Sequence, residues 1–219
     1  MEIREETTAK AWKKALKQIM KSGFSYKDHE GRICKEILNI IITVRKPEKD
    51  TLAQIQEINS LRKWVYPSSE EIASSILNDR LVSGYYYTYG QRAFNFKSGH
   101  EGINQVDKFV IPLLKKDPTS RKAIIVFHNP IEDSLLYRKE IPGIVTVDFK
   151  LRNKMLHVTA VIRSNDLFLG WPADLYQIKS LQDYVASKLD CKAGSITTLS
   201  ISAHVFEEHF EDISKILSK

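Results

Sequence analysis

The chain has 219 residues, 42% of them hydrophobic, 27% charged and 10% aromatic, with 9 Gly and 7 Pro. That is enough apolar material for one sizeable core and too little Gly and Pro for a fibrous or disordered chain. Thirty-three Lys and Arg against 27 Asp and Glu leave a net charge of +6, which suits a nucleic-acid face or a cluster of cations around a small anion. Two cysteines exclude a disulfide scaffold and fit a reducing compartment. Charged residues directly follow Met1, and no apolar run approaches the roughly 18 residues that span a bilayer. The expectation is a cytoplasmic protein that neither enters a membrane nor needs a polyanion.

In chain order, Ala9, Trp12, Leu16, Ile19 and Met20 recur at helical spacing and Gly23 follows, predicting a helix over 7–22. Glu36–Val44 reads as a buried strand ended by Pro47. Ser68 or Ser69 is a natural cap for a helix over 70–77, and 85–94 is the aromatic peak of the chain. Apolar spacing predicts a second helix over 102–115. From Arg121 the period changes to two: a strand over 123–127, then alternating runs from Val145 to Leu151 and from Leu156 to Ile162 around Arg152–Asn153–Lys154, which is a hairpin. A helix over 175–189, a strand over 196–205 and a closing helix over 207–217 complete the pattern. No linker, repeat or low-complexity tract divides residues 1–219, so a single α+β domain is expected.

Generic catalytic signatures are absent: no phosphate loop, no GxGxxG, no CxxC, no HExxH, and no metal-ligand spacing among six histidines and two cysteines. The segment Arg163–Asp174 stands out. It places Arg163, Ser164, Asn165 and Asp166 at a strand end, then Gly170 and Pro172, then a helix N-terminus, where unpaired N–H groups and the helix dipole suit an anion.

This segment resembles the nucleotide-binding motif of the thymidylate synthase superfamily, Q-R-S-x-D followed by a short apolar link and G-x-P-F-N. Asp117–Lys122 is similar to the family's D-x-x-S-R-R, Asn129 to its W-N, Tyr89–Gly90 to its Y-G, and Ser202–Phe206 to its D-A-H-V-Y. Order and spacing agree over about 87–208, and the short N-terminal half looks like the small archaeal branch. The resemblance implies a mixed or antiparallel sheet covered by helices, with one sheet face forming a homodimer interface. It also implies a cysteine thiolate that activates C5 of a pyrimidine nucleoside 5′-monophosphate toward a one-carbon unit carried by methylene-tetrahydrofolate or a methanopterin-type carrier, without a metal.

By the same resemblance, the nucleophile position falls on Gly143 in Ile141–Pro142–Gly143–Ile144, so the chain as written lacks the family cysteine. Loss of turnover with retained binding, divergent chemistry, and a Cys-to-Gly substitution that leaves an inactive variant each account for this. Arg163 and Ser164 are implied phosphate ligands from one subunit, Arg121 and Lys122 from its partner, and Arg32 is a fifth candidate. Tyr89 would stand near the reacting carbons, Asp166 at the base edge and His204 near the ribose, where Phe206 replaces the family tyrosine. Asp174 occupies the position of the asparagine that reads uracil. An aspartate accepts from a cytosine amino group and, when protonated, donates to N3, which points to a CMP or dCMP 5-hydroxymethylase scaffold. Simple capping of a helix that starts at Leu175 is the plainer alternative for Asp174. A dUMP-using thymidylate synthase homologue and a non-catalytic nucleotide sensor remain open as alternatives. The chain also stops soon after its last helix, which puts ordinary folate binding in question.

Overall fold

The computed structural model describes residues 1–81, 85–98, 101–138 and 140–218. Strand β1 (Glu2–Glu5) leads into helix α1 (Thr8–Ser22), which buries Ala11, Trp12, Ala15, Leu16 and Ile19 and turns its lysines outward. Gly23 ends it. Its N–H bonds to Ile19 O at 2.8 Å, and a Cβ there would come within 2.6 Å of that oxygen, so only glycine fits. Strands β2 (Phe24–Lys27) and β3 (Ile33–Val44) form a hairpin. Helix α2 (Ala53–Asn59) follows, and α3 (Ser69–Leu77) has Ser68 in a full capping box: Glu71 N–H donates to Ser68 Oγ, and Glu71 Oε2 accepts from Ser68 N–H.

The aromatic peak folds as the short helix α4 (Tyr89–Phe94), capped by Thr88 Oγ1, which accepts from Gln91 N–H at 3.0 Å. The helix expected over 102–115 is corrected. Gly102 and Ile103 belong to β5 (Glu101–Ile103), paired with β4 (Phe96–Ser98); Val106–Val110 is a π-helical turn, and only α5 (Ile111–Lys116) is α-helical. Pro112, which has no N–H to give, stands where the regular helix takes over.

Strand β6 (Ile124–Val126), helix α6 (Pro130–Asp133) and the hairpin β7 (Ile144–Arg152) and β8 (Met155–Asp166) follow. Asn153 and Lys154, at φ of 50° and 60°, make the tight turn that the alternation called for. Helix α7 (Gly170–Lys188), strand β9 (Lys192–Phe206) and helix α8 (Phe210–Leu217) close the chain. Helix α7 begins five residues before the expected Leu175. Pro172 is its third residue, where the missing N–H would have had no helical partner, so the Gly-x-Pro that read as loop is the first turn. Asp174 therefore lies inside the helix and does not cap it.

The seven-stranded sheet runs β1-β3-β9-β8-β7-β6 with β2 added on β3; β1–β3 and β8–β9 are parallel and the other pairs antiparallel, a mixed α+β sheet as expected. One face is buried under helices. On the other, the registers align Ile41, Leu199, Val161 and Thr146 in one row and Thr43, Thr197, Thr159 and Asp148 in the next, all half-buried or exposed. Crossing from β8 to the parallel β9 through α7 puts the β8 C-terminus and the α7 N-terminus at the same end of the sheet, where the segment of interest lies.

Candidate functional site

The end of β8 is held backbone group by backbone group. Asp166 Oδ1 accepts from Phe168 N–H (2.8 Å) and Leu169 N–H (3.2 Å), turning the chain from strand into helix. Leu167 N–H donates to His204 O (2.9 Å), Leu167 O accepts from the Trp12 indole (2.7 Å), and Leu169 O accepts from Tyr66 Oη–H (2.6 Å). Asp166 itself thus takes the two N–H groups just before α7 begins. Asn165 is buried and donates to Ser200 Oγ (2.7 Å).

Arg163 points the other way. Its Nε donates to Pro142 O (3.0 Å) and Nη2 to Ile141 O (2.8 Å), while its backbone N–H donates to Gly143 O (2.9 Å). Three bonds therefore clamp 141–143 to β8. Among the described residues two of the guanidinium's five N–H donors are used, which leaves three for an anion. Just beyond Gly143 the register of β7 slips between Ile144 and Thr146, a bulge that re-aims the strand at its start. Ile144 N–H donates to Tyr89 Oη at 3.0 Å. A Cβ on Gly143 would meet Tyr89 Oη at 3.3 Å and Ser164 O at 3.5 Å, so a side chain is accommodated with a shift of a few tenths of an ångström, and no positive φ demands glycine.

A cavity of about 390 Å³ opens here, lined by Arg163, Tyr89, Tyr87, Glu140, Ile141 and Gln177 among others. A second, of about 470 Å³, shares Ser75, Tyr85, Thr88 and Gln177 with it and is walled by Pro67, Ile72 and Ala173. Asp174 is close enough to Tyr66, Tyr87 and Tyr89 to raise their pKa values. Burial first, and then the charge of Asp166, pushes its carboxyl up to about 7. Burial also raises Asp166, against the pull of its two N–H donors and of His204. His204 stands beside Asp166 across the β8–β9 ladder and beside Glu36 across β3–β9; burial lowers its pKa while both carboxylates oppose this. Tyr89 is held well above its ordinary range, mainly by burial.

Arg163, Ser164, Gly143, Tyr89, Asp166, Asp174 and His204 are thus brought to one end of the sheet. Arg32 lies near His204 but is engaged: it stacks on Phe206 at 4.2 Å and pairs with Asp28 and Glu30. Arg121 and Lys122 precede edge strand β6, are exposed, and line neither cavity. Neither cysteine stands in at Gly143: Cys34 is a buried residue of β3 with its thiol pushed up by burial, and Cys191 lies beyond the far end of α7 with the same shift. No cluster of three metal-binding side chains occurs among the described residues. Sequence reasoning missed Tyr66 and Gln177. Gln177 lies one helical turn beyond Asp174, but a polar residue between Leu175 and Ile178 carries no signal of its own.

The family model described as Thymidylate synthase matches residues 33–219, which includes the Arg163–Asp174 segment, both cavities and β9. The chain belongs to the thymidylate synthase family. A protein provisionally named thymidylate synthase in Methanosarcina barkeri is 33% identical over 98% of this chain and 94% of its own length. A counterpart in Methanothermobacter thermautotrophicus is 32% identical over 95% of each. A deoxyuridylate hydroxymethyltransferase of Bacillus phage SP01 is 26% identical over 85% of this chain and 55% of its own length. Members of the thymidylate synthase family act on pyrimidine nucleoside monophosphates and normally use a folate-type one-carbon carrier.

Proposed function

We propose that this protein binds a pyrimidine nucleoside 5′-monophosphate whose base carries an exocyclic amine, CMP or dCMP, on a scaffold for one-carbon transfer to C5. The observation that carries the reading is Asp174: a carboxyl poised near neutrality, beside Tyr89 and Asp166, where the family reads its base. Cytosine offers a donor at N4 and an acceptor at N3. The carboxyl accepts from N4 and shares one proton with N3, whereas its ionised form repels the O4 of uracil. The phosphate is bound by the three remaining donors of Arg163, by Ser164, and by Arg121 and Lys122 of a second copy docked on the open sheet face. Two rows across four strands, Ile, Leu, Val and Thr except for Asp148 at one end, support that interface.

At the reacting end, Tyr89 Oη and Ser164 O bracket position 143, and the Arg163 guanidinium beside it would depress the pKa of any thiol placed there. The apolar wall of Pro67, Ile72 and Ala173 next to Tyr85 suits the flat ring of a folate- or methanopterin-type carrier, which supplies the activated carbon when bound. What the chain's own residues do is bind the phosphate, fix the base edge and hold the C5–C6 bond against position 143. With glycine there, C5 is not activated by a thiolate. That one observation favours a second reading, a nucleotide-binding protein without turnover.

Two measurements separate these readings. Calorimetry on the wild-type chain should show CMP or dCMP binding in preference to dUMP; no binding of any pyrimidine monophosphate sinks both. Gly143→Cys should then release label from C5-tritiated CMP or dCMP, since a thiolate adding to C6 makes C5 exchangeable. Tight binding with no release by the cysteine variant leaves the sensor.

A further inference from the structure

Gln177 lies three residues after Asp174 on α7 and lines the cavity that holds Arg163 and Tyr89. Its Oε1 is buried without a hydrogen-bond partner among the described residues. A buried amide carbonyl left unpaired costs roughly 1–3 kcal/mol, so such atoms are normally satisfied by something. Several polar groups of the same lining are engaged elsewhere: Thr88 Oγ1 caps α4, Ser75 Oγ donates to Ile72 O, and Tyr89 Oη takes the N–H of Ile144. Gln177 is one of four residues, with Ser75, Tyr85 and Thr88, that line both cavities, so its side chain stands where two bound groups would meet.

We infer that Gln177 is a specificity-determining residue that accepts the second N–H of the base's exocyclic amine, completing the recognition begun by Asp174. This rests on the pyrimidine-monophosphate reading above. An amino group at C4 has two N–H donors. Asp174 takes one, and in a closed cleft the other needs an acceptor of its own. Two acceptors about 2.9 Å from one nitrogen, along N–H directions about 120° apart, are about 5 Å from each other, which matches the spacing of side chains three apart on a helix face. One unpaired acceptor on the protein and one unpaired donor on the ligand thus cancel. A carbonyl at C4 brings no donor, and would need the Gln177 amide to rotate and present Nε2.

The test is calorimetric titration of the full chain with CMP, dCMP, UMP and dUMP, comparing wild type, Gln177→Leu and Gln177→Glu, with thermal melts to confirm folding. Loss of one hydrogen bond to a buried donor predicts about tenfold weaker cytidylate binding for Gln177→Leu. Gln177→Glu keeps an acceptor and should stay within about threefold of wild type for cytidylates while losing residual uridylate binding. A merely structural role would reverse the two, since a buried carboxylate is harder to accommodate than leucine. If the wild type prefers cytidylates and Gln177→Leu leaves their affinity unchanged, the inference falls and the base reading by Asp174 stands. Weaker cytidylate binding in the glutamate than in the leucine variant also overturns it. A wild type that binds no pyrimidine monophosphate overturns both.

Discussion

Asp174 shows what one buried carboxyl does to the pH behaviour of the whole protein. Its pKa of about 7 in the fold stands above the roughly 4 of an unfolded aspartate, so folding favours the protonated form. The stability this contributes is fully present below pH ~4 and is lost as pH rises through ~7, by roughly 2–4 kcal/mol. Denaturation of wild type against Asp174→Asn at pH 4.5, 6 and 8 should therefore show the wild type losing ground as pH rises, with a flat difference refuting the assignment. The same substitution restores an amide that pairs with uracil O4 and N3–H, so base preference should move from cytidylates toward uridylates by at least tenfold. At this scale the motif made Arg163, Asp166 and Asp174 legible, because a strand end followed by Gly-x-Pro is a local pattern. Gln177 escaped because a polar residue between Leu175 and Ile178 looks like any solvated helix position, and only the cavity reveals that it points inward. Arg32 was legible as a cation, but its stacking on Phe206 depends on a strand pairing far away in sequence.

Among the elements, α4 sets Tyr89, and Arg92 is the buried charge that anchors α4. Arg92 is only 2% exposed; Nη1 donates to Phe127 O and Asp133 Oδ2, and Nη2 to Asp133 Oδ1 and Glu132 Oε2, tying α4 to α6 and to the end of β6. Removing one partner of a buried pair costs about 3–5 kcal/mol because the other charge is left uncompensated. Arg92→Leu should therefore lower Tm by about 10 °C and weaken nucleotide binding through Tyr89. Adding Asp133→Leu should recover part of the lost stability; no recovery would mean that Arg92 acts through Phe127 O alone. Elements with a clear period were legible: α1, the β7–β8 hairpin and β9 follow from spacing of apolar residues. The 102–115 segment was not, because Gly102 and Ile103 satisfy their backbone by pairing with β4, which helical spacing cannot reveal. The start of α7 was hidden for the opposite reason: Gly170 and Pro172 carry loop signals, yet the first turn of a helix tolerates both.

For the whole molecule, the α+β class was legible from the switch of period at Arg121, but the strand order was not, since β3–β9 and β8–β9 pair residues distant in sequence. The open sheet face carries the homodimer proposal. Leu199→Arg sits in the middle of its Ile41–Leu199–Val161 row and places a charge opposite its own copy. Sedimentation or light scattering should show the dimer replaced by monomer, and CMP affinity should fall with it, because Arg121 and Lys122 would no longer reach a phosphate. A monomeric wild type, or a monomeric variant with undiminished affinity, would refute the shared site.

The bond from the Trp12 indole to Leu167 O joins the first helix to the turn that launches α7. The family model begins at residue 33, so a fragment cut to that boundary would leave out this tether and β1 as well. Leu167 O would then be a bare carbonyl in an apolar setting, and the turn carrying Asp166 would lose its backing. The leading helix thus acts as a keystone for the candidate site while lining neither of its cavities, and a fragment cut to the family model's boundary loses what keeps the rest in shape.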